Sequence, residues 1–175
     1  MLTCSKFVRQ LSNVAVARKV VKVSQRSPEG LVWGIRAGFR DYLENLEDAR
    51  VELEGVVLTP DGFLFPVDPV GLFAGSLHAR AHGGALEVRF AEPAIEQTAD
   101  GVVLSADLGD GRRHVARLLD VADAAILTAE GGVATDVALT LDGSSWLGGV
   151  YAPWARMDAV HVLRAHRTPS PAHVS

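Results

Sequence analysis

The hydrophobic positions follow two different periods along the chain. In the stretch GLVWGIRAGFRDYLENL, residues 30–46, apolar side chains recur three and four residues apart, which is the spacing of one buried helical face. Ser27 and Pro28 precede this stretch as a helix cap and a first-turn residue. The pattern therefore predicts a helix from about residue 28 to residue 46. Its buried face would consist of Leu31, Val32, Ile35, Phe39, Tyr42, Leu43 and Leu46.

From residue 49 onward the period changes to two, which is typical of half-buried strands. The candidate strands are RVELEGVVL, FLFPV, GLFAGSLHARAH, GALEVRF, GVVLSADL, HVARLLDV, AAILTA, VATDVALTL and GGVYA. Turn signals separate them, namely Asp-Gly at 61–62, 100–101, 110–111 and 142–143, and Gly-Gly at 131–132. The predicted fold is mainly β: an antiparallel β-sandwich or incomplete barrel, with one N-terminal helix packed against it.

The length of 175 residues suits one well-buried domain. We place this single domain at residues 28–166. Residues 1–27 carry six basic and no acidic side chains, and we expect a flexible tail there. Residues 167–175, which contain proline and serine, are expected to form a second flexible tail. The apolar run VAVA at 14–17 is too short for a clear secretory signal, so the sequence leaves the localisation undecided.

Charge and composition exclude several classes of protein. From Glu29 onward, 21 acidic side chains face 11 arginines, so this part of the chain should repel a nucleic-acid backbone, and we expect no nucleic-acid partner. No run approaches the roughly 18 apolar residues of a membrane span. The single cysteine, Cys4, allows no disulfide within the chain. The usual nucleophile, phosphate-loop, dinucleotide and zinc-protease motifs are missing, so we do not expect an enzyme.

The remaining candidate chemistry lies with tyrosine and histidine. On the predicted helix Gly34, Gly38 and Tyr42 are four residues apart, which would leave bare backbone beneath the phenol. In SLHARAHGG, His78, Arg80 and His82 alternate onto one face of a strand. A tyrosine on an amphipathic helix is most often a core residue whose hydroxyl is satisfied at the rim, so this pattern alone does not decide between packing and binding.

Three segments resemble the signature segments of the HtaA haem-binding domain family of actinobacteria, in the family's order. They are LVWGIRAGFRDYL, then FAGSLHARAHGGALEVRFAEPAIE followed by GVVLSADL, and finally WLGGVYAPWARMDAV. The first resembles the family pattern W-G-V-K-x-S-F-R-x-Y, although Gly38 stands where the family has serine. The second resembles G-H-G-G with a downstream N/D-P-x-I. Together they span about residues 31–162.

The resemblance implies binding and transfer of ferric haem, as haem b, in haem-iron acquisition. It implies that Tyr42 ligates the iron as a tyrosinate and that His82 supports it. A tyrosinate is a hard oxygen ligand that favours Fe(III). Gly34 and Gly38 would let the porphyrin edge approach, and Trp33, Phe39 or Phe73 would cover a ring face. The candidate propionate contacts are Arg36, Arg40 and Arg80.

The partners expected are haem and other haem-uptake proteins. Two other hypotheses remain open at this point. In the first, the chain is a non-haem β-sandwich module that binds a protein or glycan at the cell surface. In the second, it is a haem-degrading or otherwise catalytic protein, which would require a substrate cavity beside the iron and a proton donor that the sequence does not display.

Overall fold

A computed structural model describes residues 29–164. The helices of this part are α1 Ala37–Asn45, α2 Ala124–Glu130 and α3 Leu141–Trp146, and a 3-10 turn spans His82–Gly84. Its strands are β1 Gly30–Trp33, β2 Arg50–Glu54, β3 Val57–Thr59, β4 Gly62–Pro66, β5 Ser76–Ala81, β6 Leu86–Thr98, β7 Gly101–Asp107, β8 Arg112–Leu118, β9 Gly132–Ala134, β10 Val137–Leu139 and β11 Val160–Leu163. The predicted tails, residues 1–27 and 167–175, lie outside the described residues, so the predicted domain limits stay a prediction.

The strands form two antiparallel sheets. The five-stranded sheet has the order β3-β4-β1-β11-β9, and the six-stranded sheet has the order β10-β8-β7-β6-β5-β2. One hydrophobic core draws buried side chains from both sheets and from α1. The prediction of a mainly β fold made of antiparallel sheets is confirmed, and the arrangement is that of a β-sandwich.

The first half of the predicted helix is wrong, because residues 30–33 form β1. This strand lies between β4 and β11, with Leu31 opposite Phe65 on one side and Val162 on the other. Leu31, Val32 and Trp33 are all buried, since a central strand can be covered on both faces. A short apolar run of this kind has no period that separates strand from helix. The chain then turns at Ile35, whose φ is 62°, and α1 begins only at Ala37.

Two predicted strands in the second half of the chain are also wrong. The segment AAILTA forms α2, because the Asp123 carboxylate accepts hydrogen bonds from the N–H groups of Ala125 and Ile126. The Asp-Gly pair at 142–143 lies inside α3, where the Thr140 hydroxyl caps the N–H of Gly143. The segment GGVYA forms turns and bends rather than a strand. In each place a local side-chain cap or positive-φ glycines outweigh an apolar pattern too short to determine the structure.

The path of α1 determines where the functional site can form. The helix follows β1 of the five-stranded sheet and leads into β2, the edge strand of the six-stranded sheet. There Arg50, the first residue of β2, lies opposite Arg80 of β5. Because the strands are antiparallel, the chain just before Arg50 runs beside the chain just after Arg80. The end of α1 therefore approaches the turn that begins at His82.

Candidate functional site

Tyr42 lies on α1 at the surface of the protein. Phe39 and Leu43 take the buried face of this helix, and Tyr42 projects beside them with 43% of its surface exposed. The prediction that Tyr42 belongs to the buried face is therefore wrong. Because the helix is shorter than predicted, a narrow stripe four residues apart suffices to anchor it to the core. The phenol is available to a ligand from solvent.

His82 stands on the exposed turn that ends β5. It leaves the strand with a φ of 53°, and Gly83 and Gly84 follow with φ values of 62° and 99°. Along β5, Leu77 and Ala79 point into the core, while His78 and Arg80 point outward, as the alternation predicts. The left-handed turn redirects the chain after Ala81, so that His82 belongs to the 3-10 turn rather than to the strand.

Tyr42 and His82 form a side-chain hydrogen bond. It joins the Tyr42 hydroxyl to Nε2 of the imidazole, and the ring centroids are 6.0 Å apart at an interplanar angle of 48°. The two residues are 40 positions apart in the chain. A neutral imidazole can accept the phenol proton at Nε2, or can donate from Nε2 to a phenolate in the other tautomer. The contact places the turn at the end of β5 beside α1.

Gly38 and Gly34 have different surroundings. Gly38 is exposed on α1, one turn before Tyr42, and a Cβ at this position would contact only the Tyr151 hydroxyl, at 3.9 Å. Gly34 precedes the helix, and a Cβ there would overlap the Arg40 guanidinium and lie 2.6 Å from the Asp158 carboxylate. The predicted line of two glycines beneath the phenol is therefore wrong. Gly38 keeps an open surface beside Tyr42, whereas Gly34 allows close packing with Arg40.

Tyr151 is a neighbour of the site that the sequence pattern alone did not identify. Its hydroxyl approaches Gly38, and the Arg36 guanidinium lies over its ring, 4.6 Å from the centroid. Tyr151 is only partly buried. The signal that could have found it is the third signature segment, in which Gly148 and Gly149, both with φ of 71°, loop the chain out just before Tyr151.

The three aromatic residues predicted to cover a haem face are core side chains in this structure. Trp33, Phe39 and Phe73 are only 1%, 4% and 6% exposed. The Trp33 indole lies near the rings of Phe90 and Trp146 and donates to the backbone carbonyl of Asp158 at 3.1 Å. None of the three presents an open ring face at the surface. Their contribution is to the hydrophobic core.

The candidate arginines each contact other protein groups. Arg40 is mostly buried, with Nη1 2.6 Å from Oδ2 of Asp158, and it also donates to the carbonyl of Gly34. Arg80 pairs with Glu52 at 2.6 Å on the outer face of β5. The Arg36 guanidinium lies over the Tyr151 ring, and the Tyr151 hydroxyl lies near Gly38. Of the three candidate arginines, Arg36 is therefore the one that lies beside the predicted site.

Acidic side chains surround the Tyr42 end of α1. Burial raises the pKa of the Glu44 carboxyl, the negative charge of Asp41 raises it further, and Arg40 partly opposes both effects. One carboxylate oxygen of Glu44 is buried without a hydrogen-bond partner among the described residues. Burial and the neighbouring charge of Asp41 therefore disfavour the ionised form of Glu44.

The described residues also form a surface groove that does not include the predicted site residues. The groove has a volume of about 370 Å³ and is lined by Glu87, Leu108, Asp110, Arg113, Asp142, Ser145 and Trp146. Residues 29–164 hold no group of three or more histidine, cysteine or acidic side chains placed to bind a metal ion. In the same range no helix is long and apolar enough to cross a membrane.

The structure is a small two-sheet sandwich that brings Tyr42 and His82 into contact at its surface. Residues 29–163 match the model of the HtaA family, described as Htaa, and this match covers more than half of the chain. The chain therefore belongs to the HtaA domain family, a family of binding domains associated with haem uptake. No curated protein matches the chain significantly.

Two solved structures of this family share the fold. The C-terminal domain of HtaA from Corynebacterium glutamicum is 23% identical, with a TM-score of 0.59; the match covers 77% of this chain and 96% of that one. The N-terminal domain of the same protein is 17% identical, with a TM-score of 0.57, and the match covers 81% of this chain and 100% of that one. At these identities the likeness concerns the fold, so the site must be argued from this chain's own residues.

Proposed function

We propose that this protein binds ferric haem and passes it on in haem-iron acquisition, with Tyr42 as the iron ligand and His82 as its hydrogen-bonding support. The observation that carries the proposal is the pairing of the exposed Tyr42 hydroxyl with His82 Nε2. Membership of a haem-uptake family makes haem the ligand to test first.

The residues present fit a haem whose iron is ferric. A tyrosinate supplies a hard, anionic oxygen, which suits Fe(III) better than Fe(II). A free tyrosine side chain has a pKa of about 10, so ligation at neutral pH requires the phenol to lose a proton. The His82 imidazole is in hydrogen-bonding contact with that hydroxyl, and can take up this proton or donate to the phenolate that remains. Either role stabilises the ligating form of Tyr42.

The surface around the pair can accommodate a flat apolar ligand. Gly38 has no side chain to obstruct approach to the phenol, and Tyr151 borders the same side of α1. Val150, which is 74% exposed, precedes Tyr151 on this loop and adds apolar surface. We assign ring contact to this surface.

Propionate binding is assigned to the nearby arginines. Arg36 lies beside Gly38. Arg40 is already paired with Asp158 and Arg80 with Glu52, so a propionate would compete with these carboxylates for them. The group proposed is haem b, which the resemblance to the family implies, and the described residues contain no cysteine for covalent attachment. The proposed partners are haem and other proteins of haem uptake.

A hemin titration of the purified chain tests the proposal. We expect a sharpened Soret band together with tyrosinate-to-iron charge-transfer absorption. The chain has two tyrosines, so Tyr42→Phe and Tyr151→Phe form a matched pair. The first should lose the charge-transfer band and most hemin retention, and the second should keep the band.

Three outcomes would contradict the assignment. No spectral change with the wild type would overturn the haem proposal and favour a non-haem module for a protein or glycan. Loss of the band only in Tyr151→Phe would transfer the ligand role to Tyr151. A circular dichroism spectrum that differs between Tyr42→Phe and wild type would attribute the loss to folding instead of ligation.

A further inference from the structure

The His82 turn leaves the regular ladder of the six-stranded sheet. Arg50 lies opposite Arg80, so continued antiparallel pairing would place Asp48 opposite His82. The pairing stops there because His82, Gly83 and Gly84 all have positive φ. A non-glycine residue in this region carries a backbone cost, although histidine tolerates it better than most. The turn is exposed, so packing contributes little to its conformation.

A side-chain hydrogen bond to Asp48 takes the place of strand pairing at this turn. Its Oδ2 accepts a hydrogen bond from the backbone N–H of Gly83 at 3.0 Å. A bond from an N–H to a charged carboxylate is stronger than a neutral one. Asp48 itself is held in place because Ala49, the next residue, is buried and donates to the carbonyl of Leu46. The carboxylate therefore ties the turn to the segment that follows α1.

We infer that Asp48 is a positioning residue, which holds the His82–Gly84 turn against the end of α1 so that the imidazole meets the Tyr42 hydroxyl before any ligand binds. Asp48 lies six residues after Tyr42, and Gly83 directly follows His82. One backbone-to-carboxylate bond thus links the two segments that carry the pair. A site arranged in advance loses less freedom on binding. The consequence for haem retention rests on the proposed function, whereas the placement of His82 does not.

The test uses the full chain and three variants. Asp48→Ala removes the acceptor, and Asp48→Asn keeps an acceptor oxygen without the charge. Asp107→Ala is the matched control, because Asp107 accepts from the N–H of Gly109 at 2.6 Å in the β7–β8 hairpin, the same kind of bond at another turn. Two readouts need no haem: the nuclear Overhauser contact between the rings of Tyr42 and His82, and the amide exchange rate of Gly83. The third is the hemin off-rate.

We expect Asp48→Ala to lose most of the ring contact, to speed exchange at Gly83 about tenfold and to raise the hemin off-rate about three- to tenfold. Asp48→Asn should retain the ring contact, and Asp107→Ala should match the wild type in all three readouts. Should Asp48→Ala fail to fold, Asp48→Glu takes its place, because the extra methylene shifts the carboxylate away from Gly83 and the same losses are expected.

The inference is overturned if the variant that lacks a correctly placed acceptor keeps the wild-type ring contact and Gly83 exchange, or if Asp107→Ala shows equal losses. Failure of the proposed function has a different signature. In that case the wild type would not bind hemin, while the two haem-free readouts would still respond to Asp48.

Discussion

At the residue scale, His82 and His78 provide a direct comparison. Both come from the same stretch of chain, but His82 contacts Tyr42, whereas His78 contacts Glu87 at 2.7 Å on the outer face of the sheet. His82→Ala removes a hydrogen bond to an oxygen that becomes charged on ligation, a loss of about 1.5–3 kcal/mol. We expect hemin still to bind but to dissociate about ten- to a hundredfold faster.

Stopped-flow transfer of hemin to an excess of acceptor protein measures this rate. His78→Ala is the control and should leave the off-rate within about twofold of the wild type. Equal effects of the two substitutions would show that His82 has no special part in retaining haem.

Glu44 gives a second residue-scale prediction, concerning pH. Burial, together with the charge of Asp41, raises the pKa of Glu44 above its ordinary 4.5, so the native state binds this proton more tightly than the unfolded chain does. The contribution of Glu44 to the free energy of unfolding therefore falls as the pH rises through 4.5 and above. Glu44→Gln should raise the melting temperature at pH 7 by about 1–2 °C, since solvent screens much of the effect.

Thermal melts at pH 7 and near pH 4 check both the direction and the pH dependence. The difference between Glu44→Gln and wild type should shrink at the lower pH, where the carboxyl is mostly protonated in both states. A constant difference across this range would attribute the effect to packing rather than to charge.

At the element scale, the β3–β4 and β6–β7 hairpins differ in one respect. Gly62 and Gly101 each begin a strand with positive φ, 136° and 119°, and each accepts a hydrogen bond from a threonine hydroxyl, that of Thr59 or Thr98. A Cβ on Gly62 would lie 2.5 Å from the backbone of Gly34, whereas one on Gly101 would meet nothing within 4 Å. The first hairpin thus packs its backbone against the end of β1.

We expect Gly101→Ala to cost about 1–2 kcal/mol of unfolding free energy, the strain of a side chain at positive φ. Gly62→Ala should cost about 1–3 kcal/mol more, because the added methyl displaces the Gly34 segment. Urea unfolding of the two variants measures the difference. If both lose the same amount, the close approach between the hairpin and β1 contributes nothing to stability.

At the scale of the whole molecule, hydrogen bonds to Asp120 stabilise a connection between the two sheets. It follows β8 of the six-stranded sheet and accepts bonds from the backbone N–H and hydroxyl of Thr135, at 2.8 and 2.7 Å. Thr135 joins β9 of the five-stranded sheet to β10 of the other. Burial raises the pKa of Asp120, but the Thr135 bonds, together with the charge of Arg156, outweigh it and leave the pKa below its ordinary 3.8.

The bonds between Asp120 and Thr135 should stabilise the protein above pH 3.8. This stabilisation should be lost as the pH falls through the lowered pKa of Asp120 in the folded state. Asp120→Ala is expected to lower the melting temperature at pH 7 by about 2–4 °C. The control is Asp110→Ala, since Asp110 pairs with Arg113 within one hairpin. Melts at pH 7 and near pH 2.5 would contradict the prediction if the Asp120→Ala deficit persisted unchanged in acid.

The sequence by itself determined the class of fold, and its resemblance to the family singled out two residues that the structure places in contact. Period-two segments such as SLHARAH, in which Leu77 and Ala79 alternate with His78 and Arg80, record one buried and one solvated face, and this is readable without coordinates. The signature segments pointed to Tyr42 and His82, which the fold brings into contact. These features could be read because each depends on residue type and spacing within one short segment.

Only the tertiary structure decided where residues 30–36 belong. Gly30–Trp33 became a strand because β4 and β11 pair with it on either side, whereas the helix at AAILTA depends on a local cap by the Asp123 side chain. Other features of the structure likewise depend on residues far apart in the chain. They are the burial of Trp33, Phe39 and Phe73, the exposure of Tyr42, and the contact of Arg40 with Asp158. The spacing of apolar residues indicates that a side chain can be buried. It does not indicate which other element of the structure packs against that side chain.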